Sequence, residues 1–321
     1  MSFAGSPDRV EARLVPEAGY EFDSFRISGL PRRPSVALAR ALLLAGAAPR
    51  ACGRILATRR PDVVLGGGGY VAGPMVLAAA RRRIPTALTE ADAHLGLANR
   101  LAAPFARRVF LSFPIPGRVG PKYVVTGRPI PASSRPVERG EARRRLGLPA
   151  DGPVVLVFGG SQGSQTLNEL ALDAWAEKGP AVLHLSGDRH WPELSSRVSR
   201  PEYKLLPFTN DFGAALGAAD LVVARAGGSI WEIAAAGKPA IVVPFPHATA
   251  DHQTANARYF AGGVEIVADV DAARLVPGLV DELLSDRERM DRMAAEMRAL
   301  ARPDAAEAVA EGVLELVAAR G

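Results

Sequence analysis

The 321 residues carry 39 Lys/Arg against 34 Asp/Glu, a net charge of +5, with 48% hydrophobic residues and one cysteine. That length exceeds what one core usually supports and calls for two domains. Cys52 alone excludes a disulfide framework within the chain, and the longest apolar run, residues 41–49, is too short to span a bilayer. Residues 1–10 are polar, with Pro7 and Asp8, unlike a secretory leader.

The charge is uneven along the chain. Residues 1–150 hold 24 Lys/Arg and 10 Asp/Glu, while the remainder holds 15 basic and 24 acidic residues. A polyanion would therefore meet the first half, and an anionic membrane surface, a pyrophosphate or a nucleic acid would each fit there. A plain, solvated Arg-rich surface fits the same numbers.

In chain order, strand patterns fall at 22–27, 63–65, 86–88, 109–111 and 123–125, with helical patterns at 36–58, 74–83 and 95–103. The stretch 127–152 is rich in Pro, Arg and Gly, contains a short helix near 138–146, and reads as interdomain connection. The expected division is a first domain at 1–133, a linker at 134–152 and a second domain at 153–321, with the last helix free to pack back on the first domain. In the second half, strands at 154–158, 181–185, 203–206, 221–224, 240–243 and 264–267 alternate with helices, and 281–320 is helical and amphipathic. This alternation predicts an α/β chain of two doubly wound, Rossmann-like domains with parallel sheets. Ligands in such sheets bind at the C-terminal ends of strands, and the default site is a cleft that the two domains face.

The chemistry concentrates at strand ends. Val154–Phe158 runs into Gly159, Gly160, Ser161, Gln162 and Gly163 before a helical pattern opens. A strand, a glycine turn and a helix start present unpaired N–H groups and a partial positive charge, a seat for a phosphate. The Walker lysine is missing, and so is the acidic ribose reader about 20 residues on. A second such junction carries Arg225, Gly227, Gly228 and Ser229, with Glu232 one turn into its helix. Two helix starts in one domain can clamp a diphosphate. A Pro-rich loop from residue 244 leads to a helix bearing His252, Gln253 and Asn256, polar groups suited to sugar hydroxyls. His247 and His252 have poor spacing for a metal. In the basic half, Gly66, Gly67, Gly68, Gly69 and Tyr70 form another strand-to-helix turn, and Glu90 and Asp92 sit just past a strand end, where a general base belongs. Asp269 and Asp271 spell a D-x-D that reads as a helix cap. An Arg-flanked apolar helix, with Val36, Leu38, Leu42, Leu43 and Leu44 beside Arg32, Arg33, Arg40, Arg50 and Arg54, suits an anionic leaflet, and Arg81–Arg83 adds charge. A core helix with a basic exposed side is the plainer reading.

Taken together and in order, these segments resemble the lipid-linked N-acetylglucosaminyltransferases of peptidoglycan synthesis, the MurG family. The matching text includes residues 8–16, 25–30, 61–74 (PDVVLGGGGYVAGP), 96–100 (GLANR), 159–163 (GGSQG), 232–237 (EIAAAG) and 251–257 (DHQTANA). The resemblance implies a GT-B fold and an inverting, metal-independent transfer with no cofactor. The donor would be UDP-GlcNAc, and the acceptor undecaprenyl-pyrophosphoryl-MurNAc-pentapeptide. Donor binding would fall to Gly160, Ser161, Gln162, Gly163, Phe208, Thr209, Arg225, Gly227, Gly228, Ser229, Glu232, His252 and Gln253, with Glu232 on the ribose and Gln253 on the sugar. Acceptor binding would fall to Gly67, Gly68, Gly69, Tyr70, Asn99 and Arg128, with Glu90 or Asp92 as the base. A peripheral place on the cytoplasmic face of the plasma membrane is expected, and no nucleic-acid partner.

Four departures from the family pattern stand out, one being an Arg225–Glu232 turn one residue shorter than usual. The resemblance begins at the family's second strand, so its opening Gly-Gly-Thr-Gly-Gly-His loop is not among these residues. Its His-Glu-Gln-Asn reads Thr89-Glu90-Ala91-Asp92, and its Gly-Asn-Pro-Val-Arg reads Gly127-Arg128-Pro129-Ile130-Pro131, leaving Arg128 to supply the charge. The other readings are a catalytically impaired UDP-sugar or lipid-binding relative, and a GT-B transferase acting on another lipid.

Overall fold

The computed structural model describes residues 1–27 and 36–319, with the backbone alone for 36–45. The chain divides into two compact units, residues 1–126 with 307–321, and residues 127–306.

The first unit runs β1 (Ser2–Gly5), α1 (Glu11–Glu17), β2 (Glu21–Ser24), α2 (Val36–Arg59), β3 (Val64–Gly66), α3 (Gly69–Arg81), β4 (Thr86–Glu90), α4 (Leu97–Ala102), β5 (Arg108–Leu111) and β6 (Tyr123–Val125). All its strand pairs are parallel, but they form two ladders: β1 with β2, and β3-β4-β5-β6. Phe25 and Ile27 share a buried cluster with Cys52, Leu56, Val64 and Ile84, so side-chain packing spans what the ladders do not. β1 and α1 lie outside the sequence expectation. Ser-Phe-Ala-Gly lacks β-branched residues, and Pro16 sits inside α1. β2 ends at Ser24, three residues before the expected strand end. α3 begins at Gly69 and not near Pro74, because two glycines with φ of 87° and 65° turn the chain directly into the helix.

The second unit runs α5 (Arg139–Leu146), β7 (Val154–Phe158), α6 (Gln165–Trp175), β8 (Ala181–Leu185), α7 (Trp191–Leu194), β9 (Tyr203–Leu206), α8 (Phe212–Ala218), β10 (Leu221–Ala224), α9 (Ile230–Ala235), β11 (Ala240–Val242), α10 (His252–Tyr259), β12 (Val264–Ile266), α11 (Ala272–Ser285) and α12 (Arg287–Leu300). Its six strands are parallel in the order β12-β11-β10-β7-β8-β9. β7, β8 and β10 are buried along their whole length, as Val- and Leu-rich central strands of a covered parallel sheet must be. Each such side chain contributes about 1.5–3 kcal/mol by leaving water. The chain reverses its winding at β7, which pairs with β8 on one side and β10 on the other. That is the switch point at which doubly wound sheets bind ligands.

The segment expected as a linker, 134–152, is built into this unit. Glu138 caps α5 by accepting from Gly140 N and Glu141 N. Arg143 on that helix is 1% exposed and ion-pairs with Asp220 at 2.7 Å while donating to the carbonyls of Pro149, Ala150, Gly152 and Ala218. The helical stretch expected at 281–320 is three helices. Asp286 ends α11 and caps α12, and residues 301–304, with Pro303, separate α12 from α13 (Ala305–Ala318). Val309, Val313 and Leu316 of α13 pack on Phe110 and Ala87 of the first unit. Of the Arg-flanked apolar helix, Arg32 and Arg33 and the side chains of Val36, Leu38, Arg40 and Leu42–Leu44 lie outside the described residues. Among the described residues no helix is long and apolar enough to cross a membrane.

Candidate active site

Both glycine turns of the second unit leave the sheet at its switch point, one after β7 and one after β10. In the first, Gly160 and Gly163 adopt φ of 89° and 74°, and Ser164 becomes the N-cap of α6, its Oγ accepting from Leu167 N. This leaves Ser161 and Gln162 exposed at the tip, beside the unpaired N–H groups of an 11-residue helix. In the second, Gly228 sits under the Arg128 guanidinium. A Cβ there would lie 2.2 Å from Arg128 Nη1, so a larger residue would push the guanidinium off the turn.

Residues flanking these turns divide into those that hold the loops and those that reach past them. Arg225 holds. It is 9% exposed, donates from Nε to Ser164 Oγ at 3.0 Å and from Nη1 to the carbonyls of Val243 and Pro244, and pairs with Asp269 at 2.5 Å. The guanidinium predicted to meet the donor thus ties the first turn to the exits of β10 and β11, and the D-x-D acid serves as its counter-ion. Asn256, fully buried, donates from Nδ2 to Ala226 O and steadies the second turn from below. Thr209 Oγ1 accepts from Asp211 N, while Phe208 next to it is exposed.

Glu232 and Gln253 reach past the turns. Gln253 Oε1 accepts from Phe245 N at 2.8 Å, which aims its Nε2 toward Gly227, 4.0 Å from where a Cβ would stand. Glu232 is half-buried and accepts from Ser134 Oγ. His252 Nδ1 bonds Thr249 O at 2.9 Å.

In the first unit, the ends of β3 and β4 meet. Asn99 Nδ2 donates to Thr89 O and to Glu90 Oε2, both at 2.9 Å, and lies 3.6 Å from the Cβ position of Gly68. Both neighbours of Nδ2 are acceptors, which fixes the amide orientation and leaves Oδ1 buried without a partner. Glu90, 7% exposed, accepts from Ala91 N, Asp92 N, Gly96 N and Asn99 Nδ2. A carboxylate holding four donors organises the loop 91–96. Asp92 stands within that loop, half-buried. Tyr70 accepts from Arg9 Nε at 2.8 Å.

A UDP-N-acetylglucosamine--N-acetylmuramyl-(pentapeptide) pyrophosphoryl-undecaprenol N-acetylglucosamine transferase from Rubrobacter xylanophilus is 42% identical over 320 residues, 97% of this chain and 94% of the relative. Models of the glycosyltransferase family 28 N-terminal and C-terminal domains match residues 2–111 and 154–309. The chain belongs to glycosyltransferase family 28. A family relative of the same description from Halothermothrix orenii is 36% identical, covering 94% of this chain and 87% of its own. The crystal structure of Acinetobacter baumannii MurG aligns with a TM-score of 0.77 at 28% identity, covering 98% of this chain and 90% of that one. The family 28 fold is GT-B, and both units have its parallel-sheet α/β make-up.

Within this family 28 frame, the structure gathers Gly160–Gly163, Gly227–Ser229, Glu232, Gln253 and Arg128 in the second unit, and Gly67–Gly69, Tyr70, Glu90, Asp92 and Asn99 in the first. Arg128 was expected on the acceptor side and lies against the second unit's Gly228 turn. The supporting residues Ser134, Asn168 and His184 escaped sequence reasoning, being distant in sequence from what they hold. The polar Asn168 on the buried face of α6 was the one visible signal.

Proposed function

We propose that this chain moves N-acetylglucosamine from UDP-GlcNAc to the C4 hydroxyl of MurNAc in undecaprenyl-pyrophosphoryl-MurNAc-pentapeptide, with inversion at the anomeric carbon. The pair of glycine turns at the switch point, with Glu232 and Gln253 beside them, carries this reading. Ser161, Gln162 and the N–H groups of the first turn receive the diphosphate, and the start of α6 stabilises the charge that develops as UDP leaves. The ribose takes over the Glu232 carboxylate from Ser134, and Gln253 Nε2 meets the sugar. Arg128 stands over the second turn as a cation available to the diphosphate. On the acceptor side, the Gly67–Gly69 turn holds the lipid pyrophosphate, and the bare Oδ1 of Asn99 accepts from an acceptor hydroxyl or amide.

The MurNAc C4 oxygen attacks the anomeric carbon as the bond to the UDP oxygen breaks, and its proton passes to a carboxylate. Asp92 takes it, because Glu90 would have to release backbone donors to serve. A lipid-linked acceptor calls for work at a membrane surface, in this reading the cytoplasmic face of the plasma membrane. Residues 93–122 contain five Lys/Arg and no Asp or Glu. Within them Leu97, Leu101 and Phe105 form an exposed apolar stripe beside exposed Arg100 and Arg107, a surface suited to anionic lipid. The test is transfer of radiolabelled GlcNAc by the purified chain, with the lipid-linked MurNAc-pentapeptide in anionic vesicles. Release of UDP with formation of the lipid-linked disaccharide supports the reading. UDP-GlcNAc binding without turnover, or transfer only to another lipid, overturns it.

A further inference from the structure

His184 lies in the middle of β8 with no exposed surface and has no place in the mechanism above. Its Nδ1 is 2.8 Å from Tyr203 Oη and its Nε2 is 3.0 Å from Asn168 Oδ1, while Asn168 Nδ2 donates to Ser186 O at 3.0 Å. The direction of every bond follows from the last one. A backbone carbonyl only accepts, so Nδ2 of Asn168 must face it and Oδ1 must face His184. Oδ1 only accepts, so Nε2 carries the imidazole proton, and the bare Nδ1 accepts from the Tyr203 hydroxyl. Burial keeps the ring neutral, pushing His184 down to about 3 and the Tyr203 hydroxyl upward.

This one-way chain ends where the donor loop is most crowded. A Cβ on Gly163 would stand 2.1 Å from Ser186 O, and one on Gly187 would stand 2.6 Å from Gly163 N. The same 186–187 turn is tied to the end of β9 by Ser186 N to Leu206 O and Gly187 N to Pro207 O, directly before Phe208 and Thr209. Asn168 itself belongs to α6, the helix that the donor loop opens.

We propose that His184 is a positioning residue for the nucleotide diphosphate. Through Asn168 it clamps the Ser186 carbonyl against Gly163 and so sets the shape of the loop 159–164 and its spacing from Phe208–Thr209. The proposal rests on the reading that this loop holds a nucleotide diphosphate. His184→Leu fills the space but strands Asn168 Oδ1 and the Tyr203 hydroxyl in the core. His184→Gln presents an N–H toward Asn168 and a carbonyl toward Tyr203, keeping both bond directions.

The experiment measures KM for UDP-GlcNAc, inhibition by UDP and by uridine, and amide exchange of residues 159–164 in the parent chain and both variants. For His184→Leu the expected result is about a tenfold rise in KM and an equal loss of UDP inhibition. Uridine inhibition stays within about twofold, exchange in the loop is faster, and His184→Gln restores all of these. Where His184→Leu does not fold, Tyr203→Phe removes a single hydroxyl and should shift the same readouts by about threefold. Unchanged loop exchange, or equal weakening of UDP and uridine, overturns the positioning role. A parent chain that binds no UDP overturns the functional reading and with it the role toward a diphosphate, and faster loop exchange in His184→Leu would then show only that His184 shapes the loop.

Discussion

The glycine turns of the two units are alike in sequence and unlike in how their surroundings are used. In the second unit, other side chains hold the turns: Arg225 with Asp269, Asn256 on Ala226 and the His184 chain. That leaves Ser161 and Gln162 exposed and aims the Nε2 of Gln253 at the second turn. In the first unit the acid at the strand end is itself the holder, since Glu90 gathers four donors and Asn99 keeps one lone acceptor. A polar residue at a strand end is therefore free for ligand chemistry only if the local backbone has not already engaged it.

The largest expected effect tests the second unit's loop directly. Gly163→Ala drives a methyl into the Ser186 carbonyl at a φ of 74°, and should lower kcat/KM for UDP-GlcNAc by more than about 100-fold. Steady-state kinetics checks this, and a fall below about tenfold would show that the turn yields.

Next, the two first-unit acids should separate. Asp92→Asn lowers kcat by about 100-fold. Glu90→Gln turns an amide toward backbone N–H groups and costs about 1–3 kcal/mol in denaturant unfolding. The reverse pattern would exchange their roles.

The third test concerns pH. His184 has a folded pKa of about 3 against an ordinary value of 6.5. Between those values the unfolded chain holds a proton that the native chain refuses, so stability falls as pH drops below about 6.5. The slope from this one group is about 1.4 kcal/mol per pH unit, and it ends near the folded pKa. Unfolding midpoints of the parent and His184→Gln at pH 7 and pH 5 should diverge accordingly, the variant losing less.

The smallest effect belongs to Ser134→Ala. Removing the hydroxyl that Glu232 accepts from leaves the carboxylate to the ribose, and KM for UDP-GlcNAc should fall by about twofold. A rise would mean that Ser134 aims Glu232 and does not compete for it.

Much of the second unit was legible because its strands are mostly apolar runs bounded by turn residues, and 154–158, 181–185 and 203–206 fall where the pattern puts them. The first unit was harder to read. Ser2–Gly5 is too short and too small-sided to announce a strand, and Pro74 suggests a helix start though it lies six residues inside α3. Site residues fared by the range of their contacts. The turns themselves could be found locally. That Arg225 would be consumed by Asp269, 44 residues away, or Glu232 engaged by Ser134, 98 residues back, depends on tertiary placement that no local pattern encodes.

The division of the first unit's strands into two ladders has a consequence for how the molecule comes apart. Among the described residues, β1, α1 and β2 join the rest of their unit through Ala4, Phe25, Ile27, the Arg59 pairs with Glu21 and Asp23, and the Arg9–Tyr70 bond, with no ladder hydrogen bonds to β3–β6. Such a subdomain has the makings of a foldon that opens first, losing its amide protection together and well before the β3–β6 ladder. Its opening would uncover strand edges beside the already exposed Phe3 and Leu65, the surfaces through which one copy can recruit another into aggregates.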